Sequence, residues 1–396
     1  MLALITIWLF MTGGLMWREP IALHVNIALA VLIALYVLVQ LCLQPARARR
    51  LPHLAPWLLL LGAVIANSTF AAPRFFMLEH TANLNAVYHR PATWGVAFLT
   101  ALAVWLHYKQ GALRQLLLIG TVLYAVGIIS PLLGTPAYYI IPQNKIYISC
   151  AYVILLPLGL HIPNKKLRYA YLGAGIAAII LFGTANRTGI VTIAALVAIG
   201  LLRTAKKTWQ KEYYNRLKQA FAGIALLGLV FLVMLRPNSI YARLDWMAQA
   251  VNEWRETPRT MVFGIGAGYS WYESVYESAP ANFSHNWLLT TLTENGITGL
   301  AALVFMLISI YKTRDERLAG YNWALLAFFI FSQVNEPFWW WQFLPILGGL
   351  IYSGKHKCVL PTMVRVHRGG VRARVVNDLG SAGSVNVPAL QPQQDI

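Results

Sequence analysis

Long apolar runs separated by polar, often basic, connections fill the chain as far as residue 352, at positions 2–16, 20–43, 55–72, 92–107, 115–134, 146–162, 169–185, 189–203, 220–235, 296–311, 321–334 and 337–352. A bilayer span takes about 20 predominantly apolar residues, so the pattern predicts an all-α integral membrane protein of about twelve transmembrane helices. Several runs fall short of a full span, which predicts interfacial Trp or Tyr at their ends, or broken or tilted helices. The first run has no Lys or Arg before it and no small-residue cleavage pattern after it, so it reads as a span rather than a signal peptide.

Two stretches interrupt this pattern. Residues 353–396 form a basic tail with Gly, Val, Pro and Gln and no helical or strand period, expected to be disordered and cytoplasmic. Residues 236–295 form the longest polar connection within the polytopic domain, 1–352. Inside it Leu244, Met247, Val251 and Trp254 recur at spacings of three and four, while Asp245, Gln249, Asn252 and Glu253 fall elsewhere. This predicts an amphipathic helix over 241–255 lying on the membrane or the bundle, with Ser239 capping its start and Pro258 stopping it. Gly264, Gly266 and Gly268 then alternate, without the strand, helix and third-glycine spacing of a dinucleotide fingerprint, so a tight turn is expected.

Composition fixes the solvent. Of 396 residues 58% are apolar and 12% charged, which excludes an ordinary soluble enzyme. The 32 Lys and Arg against 14 Asp and Glu give a net charge of +18, which by itself could suggest nucleic acid. With the N-terminus inside, however, the clusters at 47–50, 109–114, 165–168, 203–218, 312–317 and 355–374 all face the cytoplasm, and the outer side is close to balanced. That is the positive-inside pattern, so the basic charge sets orientation and no nucleic-acid partner is needed. Cys42, Cys150 and Cys358 lie too far apart in the sequence to suggest a disulfide framework or a zinc site.

Against a balanced outer side, an ionisable group beside a span needs a reason to exist. Arg187, in the hairpin TANRTG, stands among small and polar neighbours; alone it would read as a snorkelling anchor. Arg243 opens the loop helix; alone it would read as a solvated partner of Asp245 or Glu253. His285 begins the run SHNWLLTTLTENGITGL, in which His285 and Asn286 are followed by nine residues, Gly296, two residues and Gly299. A helix starting near His285 is expected to break at Gly296, holding the imidazole at a half-helix end that faces a cavity. Arg259, Arg74, Arg90 and His89 are further outer-side groups; solvated loop positions are the plainer reading for them.

The His-Asn, nine residues, Gly, two residues, Gly spacing resembles the signature of the bacterial O-antigen ligases and their relatives, the O-antigen polymerases and protein O-oligosaccharyltransferases. NRTG at 186–189 is similar to the family's arginine hairpin. ARLDWM from Ala242, followed by Pro and a G-x-G turn, is similar to the arginine that opens its large periplasmic loop. The resemblance implies a metal-independent glycosyltransferase of the bacterial inner membrane, needing no cofactor, with its site on the periplasmic side. It implies an undecaprenyl-diphosphate-linked glycan donor, with Arg187 and Arg243 as fixed bidentate phosphate partners, helped by Arg259 and Asn286. His285 is then the base that takes the proton of the acceptor hydroxyl. Glu253, Glu256, Glu273, Glu277 and Glu294 show no metal-ligand pairing with histidines in the sequence.

The leading expectation is an O-antigen ligase that joins polymerised glycan to a lipid A-core hydroxyl; a polymerase would use a second lipid-linked glycan as acceptor. A protein-glycosylating relative would carry a large extra periplasmic domain. A transporter of the lipid-linked sugar is the reading from another class, and it calls for ionisable groups in mid-span, whereas these charges sit at span ends and in loops.

Overall fold

The computed structural model describes residues 20–43, 54–76, 112–134, 145–182, 187–235, 237–267, 286–312 and 319–333, with the isolated positions 95, 98, 99, 102 and 269. Every element among them is helical: α1 (Pro20–Leu43), α2 (Leu54–Phe76), α3 (Ala112–Leu132), α4 (Lys145–Leu155) with a 3-10 continuation (Leu156–His161), α5 (Lys165–Phe182), α6 (Thr188–Thr208), α7 (Lys211–Leu235), α8 (Pro237–Arg255), α9 (Pro258–Phe263), α10 (Trp287–Lys312) and α11 (Ala319–Ser332). The expected runs at 2–16 and 337–352 and the tail at 353–396 lie outside the described residues, as does most of the run at 92–107.

Four described helices are long and apolar enough to cross a membrane, over Ala55–Pro73, Leu113–Leu132, Thr188–Thr208 and Trp287–Ser309. Shorter apolar helices cover Ala34–Leu43, Ile148–His161 and Ala319–Ser332. Large apolar side chains stay exposed on several helices, for example Leu32, Leu35 and Leu38 on α1 and Ile224, Leu226 and Leu227 on α7. In water such faces would drive association; facing lipid they need no cover.

The core shows how backbone polarity is met inside this apolar assembly. Pro157 has no N–H, and α4 gives way to the 3-10 turn beside it, which orphans carbonyls at the helix end. Two phenols replace the missing donors: Tyr124 of α3 donates to the Tyr152 carbonyl at 3.0 Å and Tyr171 of α5 to the Leu155 carbonyl at 3.0 Å. Gly120 and Gly159 leave the space that the Tyr171 ring fills.

Three local expectations need correction. The loop helix begins at Pro237, not near 241, because a first-turn proline gives up an N–H that has no partner there anyway. Position 239 is therefore inside the helix rather than its cap. Pro258 does follow the end of α8, but it also opens α9, whose start is fixed by a capping box: Thr257 accepts from Thr260 N at 3.1 Å, and Thr257 N donates to Thr260 Oγ1 at 3.0 Å. Finally, the outer loop expected over 236–295 ends earlier: the helix expected near His285 starts at Trp287, breaks at Gly296 and continues through the span expected over 296–311, so nine residues counted in the loop belong to α10.

Candidate functional site

The site is organised around two ends of the first segment of α10, residues 287–295. At its start Asn286 is the N-cap: its Oδ1 accepts from Leu289 N at 3.0 Å and its carbonyl from Thr290 N at 2.9 Å. The amide end of the same side chain donates to Gln333 Oε1 at 3.1 Å, just beyond α11. Trp287, 1% exposed, packs edge-on against Phe328 of α11 at 5.5 Å. The residue on which the signature centres, His285, lies outside the described residues, as do Arg90 and His89. Its neighbour in the chain is nevertheless held on two sides.

At the other end, the helix breaks at Gly296, with φ 64° and ψ −170°, where the glycine spacing put it. A break strands the last carbonyls of the segment, and in an apolar setting each unpaired one costs about 2–7 kcal/mol. All three carbonyls before the break are paired. Ile265 N donates to Thr293 O at 2.9 Å and Gly266 N to Glu294 O at 3.0 Å, both from the GIGAG turn after α9. Asn67 Nδ2, from the middle of α2, donates to Asn295 O at 2.6 Å. Thr298 completes the node: its Oγ1 donates to Val262 O at 2.9 Å and lies 3.1 Å from Asn67 Nδ2.

The glycines follow from this contact. A Cβ on Gly296 would meet the Val262 carbonyl, and one on Gly264 would meet the Glu294 carbonyl, so the two backbones touch directly. Both residues also have positive φ, 64° and 79°, which L side chains rarely adopt. Gly299 instead leaves room for the Asn295 side chain.

The loop helices dock on this segment. Thr293 Oγ1 donates to Ala250 O of α8 at 3.2 Å. Trp254 Nε1 donates to Met261 O at 3.0 Å, and Thr260 Oγ1 to Trp254 O at 3.0 Å, which joins α8 to α9. Phe263 of α9 stacks on Phe70 of α2 at 4.5 Å. Arg243 therefore stands on a helix fastened to the broken segment; it is half-buried, and burial pulls its guanidinium pKa down without removing the charge. Arg259 is exposed on α9.

Arg187 comes from elsewhere in the fold. It occupies the N-cap position of α6, exposed, with its carbonyl accepting from Val191 N at 3.1 Å. The Asn286–Gln333 bond joins the start of α10 to the end of α11, and Leu307 and Ile308 of α10 line one cavity with Ala319 and Asn322 of α11, so these two helices are antiparallel. The far end of α6, at Arg203 and Lys207, shares a cavity with Ala319 at the start of α11. Arg187 is thus at the same end of the helix group as Asn286. Among the described residues no three His, Cys, Asp or Glu side chains gather as a metal-ion site.

Asn67, Thr298 and Gln333 escaped the sequence reading. A signal was present for the first of them: Asn67 and Ser68 are polar residues inside the apolar run 55–72, and an intramembrane polar residue marks a site by default. Both are buried, at 2% and 0% exposure.

Residues 172–304 match a family model described as O-antigen ligase. The matched stretch holds Arg187, Arg243, Arg259, His285, Asn286 and both signature glycines. No curated protein matches the chain.

Proposed function

We propose that this chain, which carries an O-antigen ligase domain over residues 172–304, transfers an undecaprenyl-diphosphate-linked polysaccharide to a hydroxyl of lipid A-core on the periplasmic face of the bacterial inner membrane. About twelve spans and the basic cytoplasmic connections are part of this reading. The observation that carries it is the doubly held Asn286: its cap bond at 3.0 Å and its bond to Gln333 at 3.1 Å fix the chain beside His285, as a positioned base requires.

Diphosphate is already a good leaving group and calls for charge neutralisation rather than protonation. Arg187 and Arg243 supply permanent cations with paired donors, and Arg259 and the Asn286 region extend the binding surface. The acceptor hydroxyl is a poor nucleophile at neutral pH. Neutral His285 accepts its proton as the oxygen bonds to the anomeric carbon, the bond from that carbon to phosphate breaks, and undecaprenyl diphosphate departs with the electron pair. A positioned base of this kind contributes about 100- to 10,000-fold. A polymerase would use the same donor site with a second lipid-linked glycan as acceptor.

Deleting the gene and resolving the host's lipopolysaccharide beside its lipid-linked intermediates tests the assignment. Core lipid without O-antigen, together with long glycan left on the carrier, is the ligase result. Core bearing a single repeat unit means a polymerase, and an unchanged ladder overturns the lipopolysaccharide assignment. Purified protein in detergent must also form the glycosidic bond, which a transporter does not.

A further inference from the structure

A cavity of about 950 Å³ opens between α6, α10 and α11, at the end of the helix group remote from Arg187. From position 187 to position 203 is about 24 Å along α6 at 1.5 Å per residue, close to the thickness of the hydrocarbon layer. The cavity therefore belongs to the opposite membrane surface from the proposed transfer site, and nothing in that chemistry uses it.

Its lining is two-sided. Arg203 and Lys207, four residues apart and hence on one face of α6, stand at its rim with Thr204, all three exposed. Its walls are mainly apolar, from Leu307 on α10 and Trp323, Leu326 and Phe329 on α11, with Asn322 the polar residue among them. No Asp or Glu occurs among the described residues that line it. A soluble anion would use the two cations but not the walls, and a neutral lipid the walls but not the cations. The size lies within the range of about 300–1,000 Å³ that bound small molecules occupy.

We infer that this cavity binds an anionic phospholipid of the cytoplasmic leaflet, with its phosphate between Arg203 and Lys207 and an acyl chain along Trp323, Leu326 and Phe329. Basic pockets between spans on the cytoplasmic side meet anionic headgroups in this way. The occupant ties α6, which Arg187 precedes, to α11, whose far end meets Asn286 through Gln333.

Native mass spectrometry of the full-length protein in non-ionic detergent, titrated with phosphatidylglycerol, phosphatidylcholine or inorganic phosphate, tests this. Phosphatidylglycerol is expected to bind more tightly than phosphatidylcholine and to resist displacement by inorganic phosphate. Arg203→Gln with Lys207→Gln should weaken phosphatidylglycerol about twenty-five-fold, from about fivefold for each cation near an anionic lipid, and leave phosphatidylcholine unchanged. Gly200→Leu projects into the apolar part and should weaken both lipids; a Cβ there lies at an ordinary contact distance of 3.7 Å from Trp323. Lys218→Gln, a cation of α7 outside the cavity, should change nothing. Equal binding of the two phospholipids, displacement by inorganic phosphate, unaltered binding to the double variant, or an equal loss with Lys218→Gln would each overturn the assignment.

Discussion

The side chain of Asn67 donates a 2.6 Å hydrogen bond to the carbonyl of Asn295, joining the middle of α2 to the last residue before the break in α10. The same amide lies 3.1 Å from Thr298 Oγ1, so one buried side chain spans both sides of the discontinuity. Asn67→Leu removes this donor and leaves a buried carbonyl unpaired, which costs about 1–3 kcal/mol. The purified variant is expected to unfold at lower temperature in detergent and to lose transfer activity, whereas Ser68→Ala, next to it, should do neither. Equal effects of the two changes would remove the special status of Asn67.

Gly296→Ala meets a backbone conformation at φ 64° and the Val262 carbonyl at once. Strained φ alone costs about 1–3 kcal/mol, and the contact adds to it. Gly264→Ala strikes the same interface from the other side. Because both disrupt one contact, the loss in the double variant should be clearly smaller than the sum of the single losses, measured as thermal stability. Additive losses would mean that the two glycines act separately.

His285→Ala should reduce transfer by about 100- to 10,000-fold while membrane insertion and abundance stay normal, the range removed with a general base. Quantifying product per protein in purified material distinguishes this from a folding defect. Full activity in a well-expressed variant would end the catalytic assignment.

Arg243→Lys retains the charge but loses the paired donors that grip a diphosphate. A fall in transfer of more than tenfold is expected, with stability little changed, since α8 is held by Thr293 and Trp254 rather than by this residue alone. Near-normal activity would return Arg243 to a structural role.

Asn286→Asp separates the two bonds of that side chain. It keeps an oxygen for the Leu289 N–H, and a carboxylate suits a helix start, but it has no donor for Gln333. Helix stability should therefore survive while turnover falls, and Gln333→Leu should reproduce the fall. If both variants transfer normally, the Gln333 contact does not position the site.

What the sequence by itself determined here is local. Long apolar runs became helices, because hydrophobicity and length act within one segment. The break at Gly296 was legible because a glycine ending a polar stretch just before an apolar run is a local signal. The stripe Leu244, Met247, Val251, Trp254 likewise foretold α8 in kind, though its start at Pro237 and the capping box at Thr257 were missed. A proline after a helix reads equally as a stop or as the first residue of the next helix, and only the path of the chain decides.

The tertiary structure decided what the broken end of α10 is bonded to. Thr291, Thr293, Glu294 and Asn295 lower the hydropathy of its first segment, so the sequence counted it with the outer loop while expecting a helix there; in the fold all four are buried against protein. The donors that make this burial possible come from residues 67, 265 and 266, distant in the chain, and no local pattern announces that pairing. A helix can be broken inside an apolar environment only where another part of the chain supplies the hydrogen bonds that water would have made. That requirement is met by packing.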